Sequence, residues 1–165
     1  MSKASPKSPE AQAEVNRLAR DPDVAVRRQV AARADVAPEL LYYLADDPAP
    51  EVRREVARNP QAPRHADFLL ASDADAEVRT DLASKIGRLF PHTQANERER
   101  VRVVALRTLD LLARDQLVRV RKILAEALKD VANAPHEVIM LLARDRALEV
   151  STPVLMASPV LTDED

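Results

Sequence analysis

The chain has no cysteine. That excludes disulfides, thiolate metal sites, iron–sulfur clusters and cysteine nucleophiles at once. It has no tryptophan and a single glycine, Gly87, so a glycine-rich phosphate loop is excluded as well. Aromatic residues amount to 2%, two tyrosines and two phenylalanines. That is little to stack single-stranded bases on. Charge of either sign nearly cancels: 25 Lys and Arg stand against 27 Asp and Glu, for a net charge of −2. There is no overall pull towards nucleic acid or an anionic membrane. No apolar run reaches membrane-spanning length, and the polar start Met1-Ser2-Lys3-Ala4-Ser5-Pro6-Lys7 lacks the apolar core of a signal peptide.

What is present is 165 residues, 46% hydrophobic and 32% charged, enough for one ordinary domain with a sizeable core. The apolar residues are mostly Ala, Val and Leu. Small aliphatics with almost no glycine fit closely packed helices and argue against a sheet-rich fold. The expectation is an all-α protein, bacterial and cytoplasmic, with no membrane association.

The stretch from Leu18 through Asp21 to Val26-Arg27-Arg28 is said again from Leu44 through Asp47 to Val52-Arg53-Arg54, and again from Leu70 through Asp73 to Val78-Arg79-Thr80. Looser copies run from Leu112 through Asp115 to Val120-Arg121-Lys122, and from Leu142 through Asp145 to Val150-Ser151-Thr152. A fixed period of this length is the signature of stacked repeats. Each copy reads as a helix ending near Leu-Ala, a turn with Asp, and a second helix. The second helix carries apolar residues at i and i+4, as in Val52 and Val56 or Val120 and Leu124. Such short helices bury their stripes by stacking on neighbours.

Residues 1–8 read as a flexible leader, 9–90 as short repeats, 91–96 as a connecting loop and 97–165 as longer repeats of one continuous array. The period fails from Ser84 to Asn96. Thr162, followed by Asp163-Glu164-Asp165, resembles a helix N-cap without its helix, which reads as truncation of a longer protein or, alternatively, as an acidic tail.

The Asp-x5-Arg spacing of Asp21/Arg27, Asp47/Arg53, Asp73/Arg79 and Asp115/Arg121 resembles HEAT repeats. The Ala57-Arg58-Asn59-Pro60-Gln61-Ala62-Pro63 run and the short period resemble the leucine-rich-repeat variant. The whole, best over Leu112 to Asp165, is similar to an uncharacterised bacterial family of HEAT-like proteins. The resemblance implies a right-handed α-solenoid of about five HEAT-like helix pairs. It also implies a structural ladder in which turn aspartates and helix arginines tie repeats together. It implies no activity. Ser151 stands where the fifth arginine is expected, so the ladder should stop there.

In such a solenoid the second helices line the concave face. Arg28, Arg54 and Lys122 follow the ladder position, Arg58 lies one turn further on, and Arg119 is near them. These five are the candidate partner-binding residues for a protein partner. The competing reading is a solvated helix face of mixed charge. The basic run at 98–122 (Arg98, Arg100, Arg102, Arg107, Arg114, Arg119, Arg121 and Lys122) supports nucleic-acid binding as the alternative. No metal or cofactor is expected, since His65, His92 and His136 are far apart. Asp73-x-Asp75-x-Glu77 mimics a calcium loop but lacks its glycine, and reads as a turn and helix start. Tyr42 and Tyr43 read as a packed pair. The functional expectation is a non-enzymatic interaction scaffold or adaptor without catalytic residues.

Overall fold

The structure of the protein, a computed structural model, describes residues 8–90 and 99–165. The expected connecting loop at 91–96, the first residues of the longer repeats expected from 97, and the leader up to Lys7 lie outside the described residues. Among the described residues there are ten helices and no strand. They are α1 (Pro9–Leu18), α2 (Val24–Ala31), α3 (Pro38–Leu44), α4 (Pro50–Arg58) and α5 (Arg64–Leu70), then α6 (Ala76–Leu89), α7 (Glu99–Ala113), α8 (Val118–Leu128), α9 (His136–Ala143) and α10 (Leu148–Ala157). No helix among these residues is long and apolar enough to cross a membrane.

The helix starts follow local chemistry. Ser8 accepts from the Ala11 N–H at 3.2 Å and so caps α1, one residue inside the stretch read as leader. Asp23 and Asp75 cap α2 and α6 in the same way. Pro38 and Pro50 stand in the first turns of α3 and α4, where a missing N–H costs nothing. Pro63 and Pro135 are themselves the N-caps of α5 and α9. The proline of Ala37-Pro38 thus stands one position later relative to its helix start than those of Ala62-Pro63 and Ala134-Pro135.

The even-numbered helices pack in sequence, α2 on α4, α4 on α6, α6 on α8 and α8 on α10. Among the odd-numbered ones, α3 packs on α5, α5 on α7 and α7 on α9, and each odd helix also packs on the even helix that follows it. One continuous apolar core results. The valine and leucine stripe of the second helices is its spine: Val52, Val56, Val78, Leu82, Val120, Leu124, Val150 and Val154 are fully buried. Burying each such side chain contributes about 1.5–3 kcal/mol.

An alanine column lets the even helices come close. Ala31, Ala57, Ala83 and Ala125 each follow their turn aspartate by the same step, and all are fully buried. In α10 the same position is Leu155, 61% exposed, flanked by exposed Leu148 and Met156. The middle of the chain departs from the repeat because α6 continues. It has 14 residues, against 9 in α4. Gly87 lies on this extension, and a Cβ placed there would overlap the Ala127 Cβ of α8. The lone glycine thus marks the closest approach of two helix backbones.

Replacing Gly87 with alanine should destabilise the fold by about 1–3 kcal/mol, seen as a lowered melting temperature by far-ultraviolet circular dichroism. Adding Ala127→Gly should recover most of that loss. Equal melting of wild type and Gly87→Ala would refute the close approach.

Candidate functional site

Each copy opens with a turn aspartate whose Oδ1 accepts the backbone N–H two residues on. The distances are 2.9 Å from Asp23 to Asp21, 2.9 Å from Ala49 to Asp47, 2.8 Å from Asp75 to Asp73, 2.9 Å from Leu117 to Asp115 and 2.8 Å from Ala147 to Asp145. This Asx turn sets the entry to the following helix. Six residues after the aspartate, the arginine bridges two turns. Its Nη1 donates to the carbonyl oxygen of its own turn aspartate, at 2.8 Å for Arg27, 2.7 Å for Arg53 and 2.6 Å for both Arg79 and Arg121. Its Nε and Nη2 fork onto the carboxylate of the next turn: Arg27 on Asp47 at 2.7 and 3.0 Å, and Arg53 on Asp73 at 2.7 and 3.0 Å. Arg79 holds Asp115 at 2.6 and 3.3 Å, and Arg121 holds Asp145 at 2.6 and 3.1 Å. Bidentate, largely buried pairs of this kind are the strong ones.

The ladder crosses the irregular middle of the chain, where Arg79 reaches over 36 positions to Asp115 instead of the 20 that separate Arg53 and Asp73. Among the described residues, Asp21 stands at its head with no arginine on its carboxylate, and Asp145 is its last acceptor. The Asp-x5-Arg pattern could not flag Asp145, because Ser151 occupies the arginine position six residues later. Ser151 is buried and its hydroxyl donates to the Ala147 carbonyl at 3.4 Å.

The five arginine and lysine residues expected to meet a partner lie on the even-numbered helices, each engaged with a carboxylate. Arg28 donates to Glu55 at 3.0 Å. Arg58 reaches Glu55 at 3.6 Å and Asp81 at 3.0 Å. Arg54 reaches Asp81 at 2.7 Å and Glu77 at 3.8 Å, and Arg119 holds Glu77 and the Thr80 hydroxyl. These contacts form one row from α2 to α8, with four guanidiniums on three carboxylates. Lys122 pairs separately with Glu149 of α10 at 2.9 Å.

Among the described residues, the basic run is divided between the ladder, the second helices and α7. Arg121 belongs to the ladder, Arg119 and Lys122 to the second helices, and Arg114 pairs with Asp110 at 3.0 Å. Arg102 and Arg107 on α7 are exposed. Arg98 and the side chain of Arg100 lie outside the described residues, as does His92.

Three buried polar residues carried no sequence expectation. Asn59 donates to the Ala31 and Arg33 carbonyls at the end of α2, at 2.7 and 2.8 Å. Lys85 does the same for α4. Its Nζ lies 3.4 Å from the Val56 carbonyl, 3.3 Å from that of Asn59 and 2.5 Å from Asp67 Oδ1. The signal was present, since Asn59 and Lys85 occupy the same position after Asp47 and Asp73. Asn59 supplies a donor to helix-end carbonyls, whereas the two carbonyls that Lys85 meets also accept the backbone N–H groups of Asn59 and Ala62. Burial pushes the Asp67 carboxyl up and the Lys85 ammonium down, against their mutual attraction. Breaking a buried pair of this kind by removing one partner costs more than replacing both partners together.

Catalytic geometry is sparse. Among the described residues no group of His, Asp and Glu is placed to hold a metal ion. Asp73, Asp75 and Glu77 are engaged as ladder acceptor, helix cap and partner of Arg119. A hollow of about 20 Å³ beside Asp67, Phe90 and Thr108 is water-sized. The reading of Tyr42 and Tyr43 as a packed pair does not hold. They are 50% and 49% exposed, because α3 turns Leu40, Leu41 and Leu44 inward and leaves both rings on its outer side.

Acid should weaken the ladder. Burial alone would raise the Asp47 carboxyl, but hydrogen bonds from Arg27 and the Ala49 N–H hold it below the usual carboxylate range. Arg121 and the Ala147 N–H do the same for Asp145, against its burial. The unfolded chain takes up protons near about pH 4, the folded one only below that, so stability is lost as pH falls through this range. Melting temperature should hold steady from neutral pH to about pH 5 and fall below it. Asp145→Asn should start lower and show a shallower acid slope. An unchanged slope would exclude the ladder as the source.

Lys85→Met leaves the buried Asp67 with only Arg64, 3.9 Å away, as counter-charge among the described residues, and should cost about 3 kcal/mol in denaturant unfolding. Lys85→Met with Asp67→Leu should recover most of it. A double variant no better than the single one would refute that account.

No protein-family model matches the chain, and no curated protein matches its sequence.

Proposed function

We propose that the chain is a non-enzymatic, cytoplasmic protein-interaction scaffold, a right-handed α-solenoid of five HEAT-like helix pairs whose even-numbered helices form the concave partner-binding face. The consecutive packing of α2, α4, α6, α8 and α10 supports the solenoid reading. The row of ion pairs along those helices carries the functional one. Arg28, Arg54, Arg58 and Arg119 stand there on Glu55, Asp81 and Glu77, so the row has one guanidinium in excess. Arg28, Arg58 and Arg119 are about half exposed, and so is Lys122 beyond the row. Such pairs are worth little individually, so a partner carboxylate displaces them at small cost. The framework fixes their spacing, and charge complementarity then sets rate and specificity more than affinity.

Nucleic-acid binding through the basic run is the second reading, favoured by the exposed Arg102 and Arg107 on α7.

The test is affinity capture from lysate with wild type and an Arg28→Gln, Arg58→Gln, Lys122→Gln variant, with nuclease treatment in parallel. A protein held by wild type, released by the variant and indifferent to nuclease is the expected result. Capture abolished by nuclease, with a steep salt dependence, would favour the second reading. Identical capture by both proteins would remove the row from the binding face.

A further inference from the structure

Three of the four aromatic residues stand on the outer side of two adjacent odd-numbered helices. Tyr42 and Tyr43 of α3 and Phe68 and Leu69 of α5 are all exposed. Their positions match, since Phe68 follows Asp47 in register as Tyr42 follows Asp21, and Leu69 likewise answers Tyr43. Between the helices lies an open trough of about 420 Å³, lined by Tyr42, Tyr43, Asp46, Pro48 and Leu69 and floored by Asp47. The same register positions on the flanking helices are polar apart from Leu111 of α7, which packs partly buried against the core. On α1 they are Asn16 and Arg17, the latter paired with Glu14, and on α7 one is Asp110, paired with Arg114. An aromatic centre with a polar rim is the anatomy of a binding surface. A lone exposed leucine would need no explanation, but a matched set across two helices does.

We propose that this trough is a docking surface separate from the ion-pair row, and that its occupant is an extended peptide segment carrying an arginine between apolar side chains. Three observations select that chemistry. The molecule already places one guanidinium in this way: Arg20 lies 5.1 Å over the Tyr43 ring. Among the described residues no cation covers Tyr42, whose face is open to a second one. Beside it stands Asp46, exposed and without an ion pair or side-chain hydrogen bond among the described residues, whereas Asp47 is committed to Arg27. A planar guanidinium stacks on a ring and forks onto a carboxylate together, which an ammonium does not. The volume admits a few side chains of an extended segment and excludes a folded domain. Aromatic walls with Pro48 among them suit a backbone in the polyproline conformation.

The test is an array of short peptides with one arginine between leucines and prolines, beside matched peptides bearing lysine, citrulline or glutamate in its place. It is probed with the full chain and with Tyr42→Ser, Asp46→Asn and Arg28→Gln variants. The tyrosine and aspartate changes are on the surface and should leave the melting temperature nearly unaltered. Binding should require arginine over citrulline, weaken about tenfold in Tyr42→Ser and roughly fivefold in Asp46→Asn, and stay unchanged in Arg28→Gln. Equal binding of arginine and citrulline peptides, full binding by Tyr42→Ser, or no binding anywhere on the array would overturn the proposal. Self-association by sedimentation that Tyr42→Ser abolishes would assign the trough to a second copy of the chain and overturn it too. Because Arg28→Gln reports on the ion-pair row alone, loss of one surface is distinguishable from loss of the other.

Discussion

One arginine side chain holding two turns at once is the contact on which the rest of the structure depends. Its guanidinium ties the carbonyl of its own turn to the carboxylate of the next. A helix of eight or nine residues is too short to persist alone. It persists here because the fork fixes where each second helix starts relative to its neighbour, and the buried stripe then has one partner to meet. The aspartate is equally committed, since it shapes the turn through its own Oδ1 while accepting the fork. Side-chain exposures of 4–17% keep the pairs Arg27–Asp47, Arg53–Asp73, Arg79–Asp115 and Arg121–Asp145 largely out of water, where bidentate geometry offsets desolvation.

Helix content, the turns and the core stripe were legible in the sequence because they follow from periods and from residue types with strong local preferences. Val52, Val78, Val120 and Val150 could be placed inside from spacing alone. What spacing could not show was direction. The Asp-x5-Arg pattern suggested a pairing within a repeat or across to the next, and only the fold decides that the carboxylate belongs to the next turn. Nor could it show that Arg28, Arg54, Arg58 and Arg119 share three carboxylates, since their partners lie one helix away. Tyr42 and Tyr43 misled for a related reason. On this short helix Leu40, Leu41 and Leu44 had already taken the inward side.

The buried column of Asn59 and Lys85 explains the irregular middle. Where α4 stops, Lys85 reaches across to the Val56 and Asn59 carbonyls, with Asp67 as counter-charge. Where α6 runs on to Leu89, the helix satisfies the equivalent carbonyls itself. The equivalent residue in α8 becomes Ala127, and its small side chain fits against Gly87. A break in the period, a lone glycine and a lengthened helix are thus one change seen three ways.

The alanine column gives the array a grammar of growth. A unit built like the one containing α4 offers an arginine, an alanine and a turn aspartate in the positions that its neighbours on either side already use. Gene duplication could insert another such unit between α2 and α6 and keep every interface. At α10 the pattern changes, with Ser151 in the arginine position and the exposed Leu155 in the alanine position. Lengthening by internal copying thus reuses contacts that the protein already makes.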